Sequence, residues 1–337
     1  MVTSFVYLNH TTNISLRKRL EENPSKNQKN HCQSADKSLT MKNRLYRILY
    51  LLLLLISCTT DETPTATVAP VPSPTPEPTL GAGFRFSTYG TSPNPGPDYW
   101  LSVGQRMAAK FPGSHPEAIW IVGNFLGDGM TYLSFHAETD DPFITSGFVD
   151  MNDETLNLFD ANGVKVWLQV EPGDADMITL INLVLNQYKH HPSVIGFGVD
   201  VEWYKSDGSA EGTPVTDENA AAWVQAIRAI NPQYQLFLKH WDSNYMPPTV
   251  RDGLVFVDDS QQFTSFHQLV TEFAAWGAHF APAPVGFQYG YPADQTWWQE
   301  LADPAKEIGQ AILTQTPNTR SLFWVDFTVL EVFPPQP

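Results

Sequence analysis

The segment VIGFGVDVEW, residues 194–203, has the pattern of a buried strand that ends in two carboxylates. Its first six residues are uncharged on both faces, as in strands of a parallel sheet that helices cover. Asp200 and Glu202 then follow, two residues apart. A buried carboxylate without a partner is costly and usually shifts its pKa, so this pair requires a partner, a metal ion or a chemical role.

Seven further runs rich in β-branched and aromatic residues alternate with helical patterns, and they cover residues 84–90, 118–124, 164–172, 235–241, 254–260, 284–290 and 321–327. Eight strands with interleaved helices predict an α/β protein with a (β/α)8 TIM barrel over residues 82–337. A doubly wound open sheet is the alternative, but no glycine-rich phosphate loop follows the first strand. The run TYLSFH (131–136) is left over and suggests a hairpin in the second loop, and residues 242–253 look too short and proline-rich for a full helix.

The segment MKNRLYRILYLLLLLISC, residues 41–58, has the features of an export signal. Three basic residues precede an apolar run that is too short for a comfortable membrane span. The last four residues, Leu55 to Cys58, resemble the lipobox of bacterial lipoproteins, which implies lipidation of Cys58 and a lipid-anchored, extracytoplasmic protein at the membrane or cell surface. Residues 1–40 are polar and aperiodic, so we expect them to be a non-native upstream extension and Met41 to be the true start.

Residues 59–81 are rich in proline and threonine and predict an extended linker. From residue 59 onward the chain carries 11 Lys and Arg against 33 Asp and Glu, whereas the net charge of the whole chain is −16. A surface this acidic argues against nucleic acid as a partner. The two cysteines, Cys32 and Cys58, both precede the barrel, so its sequence has no disulfide, thiol nucleophile or thiolate metal site.

The predicted strands end in polar and aromatic residues, and the active site of a TIM barrel lies at these carboxyl ends. Besides Asp200 and Glu202, the candidate substrate-binding residues at these ends are Tyr89, Asn124, Glu171, His240, Trp241, Asp258, Asp259, Gln288, Tyr289, Trp324 and Asp326. A single polar residue at a strand end commonly caps a helix or lines a solvated rim. The same pattern on nearly every strand predicts an acidic, aromatic-lined pocket.

Residues two apart on a strand point the same way, with alpha carbons about 6.7 Å apart. Asp200 and Glu202 are therefore expected to face the barrel axis together, and their mutual repulsion would keep one of them protonated near neutral pH. Such a pair provides a general acid beside an ionised partner, as glycosidic bond cleavage requires. Aromatic side chains at the strand ends suit stacking on sugar rings, although for Trp203 core packing is the favoured interpretation.

The heptapeptide GVDVEWY resembles the end of the DxxDxDxE motif of family 18 chitinases. That resemblance implies Glu202 as the acid and Asp200 as the group that orients the N-acetyl group of the substrate. The two earlier acidic positions of the motif fall on Ile195 and Gly198, so half of the motif is absent. Trp324 is similar to the tryptophan at the floor of the chitinase sugar site.

The same Asp-x-Glu pair is similar to that of family 25 lysozymes, in which a late strand carries another Asp that Asp326 could match. Both families imply a polymer that contains N-acetylated amino sugars. Retaining glycosidases whose barrels carry a catalytic Glu on strands four and seven resemble this sequence less well, because its predicted seventh strand has Gln288 instead.

We therefore predict a cell-surface glycoside hydrolase that needs no cofactor and acts on a polysaccharide or oligosaccharide. A non-catalytic carbohydrate-binding lipoprotein is the main alternative. A metal-dependent hydrolase that uses Glu171, Asp200, Glu202, His240 and Asp258 is a further alternative, although the first strand lacks the HxH pattern of metal-dependent amidohydrolases. Lys239 is expected to form a salt bridge with a neighbouring acid rather than a Schiff base.

Overall fold

The computed structural model describes residues 79–206 and 211–336, and eight of the strands in these ranges close into a parallel barrel. In barrel order the strands are β1 (Gly81–Phe86), β2 (His115–Gly127), β5 (Lys165–Val170), β6 (Val194–Asp200), β7 (Gln235–Lys239), β8 (Leu254–Asp258), β9 (Val285–Tyr289) and β10 (Thr319–Val325). β1 pairs with both β10 and β2, which closes the ring and excludes the open doubly wound sheet.

Eight α-helices occur in the described ranges: α1 (Pro97–Ala108), α2 (Asp153–Asn162), α3 (Met177–Tyr188), α4 (Asp217–Ile230), α5 (Phe266–Phe280), α6 (Gln295–Trp298), α7 (Pro304–Gln315) and α8 (Val329–Val332). Side-chain caps start four of the longer ones, since Asp176, Thr216, Ser265 and Asp303 each accept a hydrogen bond from a backbone N–H of the first turn. α2 ends at Gly163, whose φ of 70° is the left-handed conformation that glycine adopts without strain. No helix of the described residues is long and apolar enough to cross a bilayer.

The barrel strands are apolar on both faces, as the sequence predicts. The outward face packs under the helices in one large core, and the inward face forms a small separate core of Ile119, Trp167, Phe237, Val255, Val257 and Phe323. Because side chains alternate along a strand, residues that follow this inner core at the carboxyl ends also face the barrel axis. The barrel interior is therefore filled by apolar side chains in its middle and by polar side chains at the carboxyl ends of the strands.

Three local expectations can be checked against the connections between the strands. The run 131–136 does form a hairpin, because β3 (Met130–Leu133) pairs antiparallel with β2. On its other edge, β3 pairs parallel with the short β4 (Ile144–Ser146). The connection from β7 to β8 contains only a 3-10 turn, Ser243–Tyr245, as its proline content suggests. The predicted linker ends at residue 81, whereas the structure begins β1 at Gly81.

Candidate active site

Asp200 is the last residue of β6, and Glu202 lies in a 3-10 turn, Val201–Trp203, that follows the strand. The expected strand alternation therefore stops at Asp200, three residues earlier than predicted. The two carboxylates still reach the same neighbour, because the register of β6 and β7 places Asp200 opposite Lys239. The Nζ atom of Lys239 lies 3.0 Å from Asp200 Oδ2 and 2.7 Å from Glu202 Oε1.

Asp259, the first residue after β8, is a third carboxylate on the same ammonium group, and Lys239 donates a short hydrogen bond to it. Lys239 thus forms the expected salt bridges, to three acids. Burial opposes its charge, but the carboxylates outweigh burial and raise the pKa of Lys239 well above its usual value. The salt bridges and the raised pKa favour a protonated amine, as expected for a structural ion pair rather than a Schiff base.

The three acids titrate differently because their surroundings differ. Burial, and then the negative charge of Asp259, raise the pKa of Glu202 well above its usual value. Burial also raises the pKa of Asp200, to about 7, with Lys239 opposing the shift. Burial acts in the same direction on Asp259, but the charge of Lys239 outweighs it and the pKa of Asp259 is lowered. A protonated Glu202 beside an ionised Asp259 follows from these shifts.

A second group of polar side chains extends across the barrel mouth from β1. Arg85 pairs with Asp326 and also donates to the Tyr89 hydroxyl at 2.8 Å. The Tyr89 hydroxyl in turn donates to Glu171 Oε1 at 2.5 Å, and the backbone N–H of Phe125 donates to Glu171 Oε2 at 2.8 Å. Burial raises the pKa of Glu171 despite these hydrogen bonds.

Several buried polar atoms at this end have no hydrogen-bond partner among the described residues. They include Gln169 Oε1, Asp200 Oδ1, Asp259 Oδ1, Gln288 Nε2 and Asn124 Nδ2. Buried polar groups in folded proteins almost always bond to protein, water or a ligand. These unpaired donors and acceptors therefore indicate that the barrel mouth binds water or a polar ligand.

The structure brings most of the predicted site residues to this end of the barrel. Asp200, Glu202 and Asp259 share Lys239, while Tyr89, Glu171 and Asp326 belong to the network of Arg85. Gln288 faces the same interior, where it accepts a hydrogen bond from Tyr291 at 3.1 Å. Asn124 follows on β2, where its side-chain oxygen accepts a hydrogen bond of 3.5 Å from Thr88.

Four predicted site residues lie on the outward face and do not join the cluster. Trp324 is fully buried and donates to Thr328 Oγ1 at 2.9 Å, so it cannot form the floor of a sugar site. Tyr289 donates to the backbone carbonyl of Ala305. The side chains of Asp258 and His240 also point away from the axis. Asp258 accepts a hydrogen bond from the Ser260 hydroxyl, and His240 contacts the backbone carbonyl of Glu211. The alternation along each strand decides these placements.

The environment of His240 also argues against the metal alternative. Its Nδ1 accepts from the backbone N–H of Asp242 at 2.8 Å, and its Nε2 lies 3.0 Å from the carbonyl oxygen of Glu211. Burial lowers the pKa of His240 to about 4, so the ring is neutral, and both of its nitrogens contact backbone groups of the neighbouring loops. The five ligands of that alternative are therefore not brought together.

Aromatic side chains form the exposed rim of the barrel mouth. Tyr89, Trp241 and Phe327 are each exposed by 37–43%. Trp203 is half-buried and stacks on Phe125 at 4.8 Å, so it lies at the rim instead of in the core, where it was expected. These rings suit contact with the apolar faces of a sugar.

Two site residues were not anticipated from the sequence. Arg85 could have been found, because it precedes Ser87 by two positions on β1 and so shares its inward face. Tyr291 could not, because it follows a turn at Gly290 and no strand pattern fixes its direction. The charges of Asp259, Lys239, Arg85 and Glu202 all act on its hydroxyl.

A groove of about 740 Å³ lies beside the carboxylate cluster rather than over it. Tyr204 and Lys205, which follow the Glu202 turn, line one side, and Trp223 and several acids, among them Asp141 and Asp176, line the rest. None of the three carboxylates bound by Lys239 lines it. We place the site by its chemistry, since the groove has no comparable set of titratable groups facing each other.

No family model matches the chain, and no curated protein sequence matches it significantly. Solved structures with a similar shape include a candidate alpha-L-fucosidase from Bacteroides thetaiotaomicron, with 10% identity, a TM-score of 0.46, and 77% of this chain and 91% of that chain covered. An endocellulase from Pyrococcus horikoshii has 12% identity, a TM-score of 0.39 and coverage of 62% and 74%.

A beta-glucuronidase from Dictyoglomus thermophilum has 13% identity and a TM-score of 0.36, with 51% of this chain covered. The chain spans about a third of the length of that enzyme, 35%. At these identities and scores, the likeness does not transfer a substrate or an activity to this chain.

Proposed function

We propose that the protein is a glycoside hydrolase, with Glu202 as the general acid that protonates the leaving oxygen of a glycosidic bond. The observation that carries the proposal is the group of three carboxylates, Asp200, Glu202 and Asp259, that share the Lys239 ammonium group at the carboxyl end of a TIM barrel. Glu202 has a raised pKa and Asp259 a lowered one. Glycosidic cleavage uses one protonated and one ionised carboxyl group.

The spacing of the acids supports a mechanism that retains the anomeric configuration. Asp200 Oδ2 and Glu202 Oε1 contact the same Nζ atom at 3.0 and 2.7 Å, so their separation cannot exceed these two distances combined. That limit is below the separation of about 6.5–9.5 Å in inverting enzymes. Asp200 would then act as the electrostatic partner of Glu202 or position an acetamido group of the substrate, and a polymer with N-acetylated amino sugars is the substrate class that we propose.

The direct test is hydrolysis of chitin oligosaccharides, peptidoglycan and a panel of neutral glycans by the full-length chain and by Glu202→Gln. A general acid contributes roughly 10²–10⁴-fold, so we expect kcat to fall by at least about 100-fold while binding survives. Glu218→Gln is the matched control, because Glu218 is exposed on α4. Cleavage at the wild-type rate by Glu202→Gln would exclude Glu202 as the acid, and NMR of the first product would report the anomeric outcome.

A non-catalytic carbohydrate-binding protein is the second candidate, and the ammonium group of Lys239 is the observation that favours it. Lys239 contacts all three acids, and only Glu202 among them has a side chain that is even 17% exposed. Binding requires a polar pocket but no acid with a raised pKa. Sugar binding without cleavage, equal in the wild type and Glu202→Gln, would establish this function instead.

We further propose that the protein is anchored to the membrane through a lipid on Cys58. The support is the sequence alone, because residues 41–58 lie outside the described residues. Expression of the complete chain with a labelled fatty acid tests the proposal. Cys58→Ser should lose both the label and the membrane fraction, and a labelled Cys58→Ser chain would contradict a lipid at this position.

A further inference from the structure

A cluster of two histidines and one aspartate lies outside the barrel mouth, where α2 meets the connection between α3 and β6. Asp153 is the first residue of α2, and His190 and His191 come shortly before β6. Asp153 Oδ1 is 3.2 Å from His191 Nε2 and 3.7 Å from His190 Nε2. One ligand atom from each of the three residues lies within 4.8 Å of the other two.

These distances match the edges of a tetrahedral metal site. With metal–ligand bonds of about 2.0–2.1 Å, two ligand atoms of a tetrahedral zinc site are roughly 3.3 Å apart. The distances from Asp153 Oδ1 to the two imidazole nitrogens, 3.2 and 3.7 Å, lie on either side of that value. The set offers two imidazoles and one carboxylate, which are ligands that zinc accepts.

Asp160 fixes the orientation of the buried imidazole in the way that metal sites commonly do. Its Oδ2 lies 2.7 Å from His191 Nδ1, while its Oδ1 accepts from the backbone N–H of Ser193 at 2.8 Å. With its Nδ1 bound by Asp160, the His191 ring points Nε2 at the oxygen of Asp153. A second carboxylate behind a ligating histidine is typical of metal sites.

We propose that Asp153, His190 and His191 bind a divalent transition-metal ion of the zinc class, with water in the fourth position. The ion would join α2 to the α3–β6 connection. This site is separate from the proposed catalytic one, because the histidines precede β6 whereas Asp200 and Glu202 lie at its other end. Seven strand residues correspond to roughly 20 Å.

The competing interpretation is a protonated His191 held between Asp153 and Asp160 without a metal ion. Metal titration of the full-length chain separates the two. After treatment with a chelator, the wild type and His190→Ala are titrated with Co²⁺, whose visible absorption reports tetrahedral coordination, and with Zn²⁺ by calorimetry. Because His31, Cys32 and Cys58 precede the barrel and can also bind metal, the readout is the difference between the variants.

We expect the wild type to bind one more equivalent of Zn²⁺ than His190→Ala, or to bind that equivalent at least about 100-fold more tightly. His136→Ala is the matched control, because the side chains of His136 and His190 are both 59% exposed and His136 faces only Glu138. The control should bind metal like the wild type. Since His190 is exposed, its removal is not expected to unfold the protein.

Thermal unfolding gives an independent readout. Zn²⁺ at about 100 times its Kd should raise the Tm of the wild type and His136→Ala by about 5 °C, and should leave His190→Ala unchanged. Equal metal binding and equal Tm shifts in all three proteins would overturn the proposal. Because His190 lies away from the barrel mouth, glycan hydrolysis is expected to be the same in all three.

Discussion

At the scale of single residues, Lys239 controls the electrostatics of the barrel mouth. Its ammonium group contacts Asp200, Glu202 and Asp259, and its side chain is 5% exposed. One positive charge against three buried acids leaves too little compensation for all three to ionise. The raised pKa values of Glu202 and Asp200 are the consequence, so the lysine that holds the acids together also determines which of them keeps its proton.

Removal of the Lys239 charge should therefore destabilise the protein in a pH-dependent way. We expect Lys239→Met to lower the free energy of unfolding by about 3 kcal/mol at pH 7.5, because it leaves buried carboxylates without a cation. The loss should be smaller at pH 5, where Asp200, whose pKa is about 7, is protonated and needs no cation. Urea unfolding at the two pH values measures this, with Lys306→Met on the exposed face of α7 as the control. A Lys239→Met protein as stable as the wild type at pH 7.5 would refute the pairing.

Strand alternation determines which site residues could be predicted from the sequence. Asp200 and Gln288 were placed correctly at the barrel mouth because each lies within a strand of known direction. Asp258 and Asp259 are adjacent in sequence, and only the position of the inner core, at Val255 and Val257, shows which of them faces the axis. Without knowledge of the inner core, the sequence does not show which of the two aspartates faces the barrel axis.

At the scale of the elements, the predicted strands are correct in order, and all except β2 were predicted too long at their carboxyl ends. β6 was predicted to end at residue 203 and ends at Asp200. β10, the last strand, was predicted to end at residue 327 and ends at Val325. Both continue into 3-10 turns that carry Glu202 and Asp326. Apolar residues such as Val201 continue the strand pattern after the backbone has turned, so composition does not mark the boundary.

β6 also requires small residues below its carboxylate. Gly198 lies one inward position before Asp200, and a Cβ atom there would clash with the ring of Phe237 on β7. We expect Gly198→Ala to cost about 1–3 kcal/mol of stability, through overpacking of the inner core, and to displace Asp200 or Lys239. Chemical denaturation measures the cost. Gly104→Ala in α1 is the control, since its Cβ would meet Phe84 at an ordinary 3.4 Å, and equal stability of both variants would argue against a packed interior.

At the scale of the whole molecule, the two ends of the barrel shift the pKa values of buried acids in opposite directions. At the amino end, Glu117 accepts hydrogen bonds from Trp167, Ser321 and Arg320. Burial opposes its charge, but Arg320 and the hydrogen bonds lower the pKa of Glu117 to about 2. At the carboxyl end, Asp200 and Glu202 have raised pKa values. Most of the buried polar atoms without a partner among the described residues lie at the carboxyl end, where a TIM barrel binds its substrate, although Arg320 Nε at the amino end is also unpaired.

This contrast predicts a maximum of stability on the acidic side of neutrality. The folded pKa of Asp200, about 7, exceeds its usual 3.8, so the folded state holds a proton that the unfolded chain releases, and stability falls as the pH rises through that window. The folded pKa of Glu117, about 2, is below its usual 4.5, so its contribution is complete above pH 4.5 and is lost as the pH falls toward 2.

The free energy of unfolding between pH 2.5 and 8, measured with urea, should therefore respond differently to two isosteric variants. Asp200→Asn should flatten the decline between pH 4 and 7, which amounts to at most about 1.4 kcal/mol per pH unit for one group. Glu117→Gln should flatten the acid side and leave the slope above pH 4.5 unchanged. If the two profiles ran parallel to that of the wild type, neither acid would have a shifted pKa, and the electrostatic basis for Glu202 as a proton donor would be lost with them.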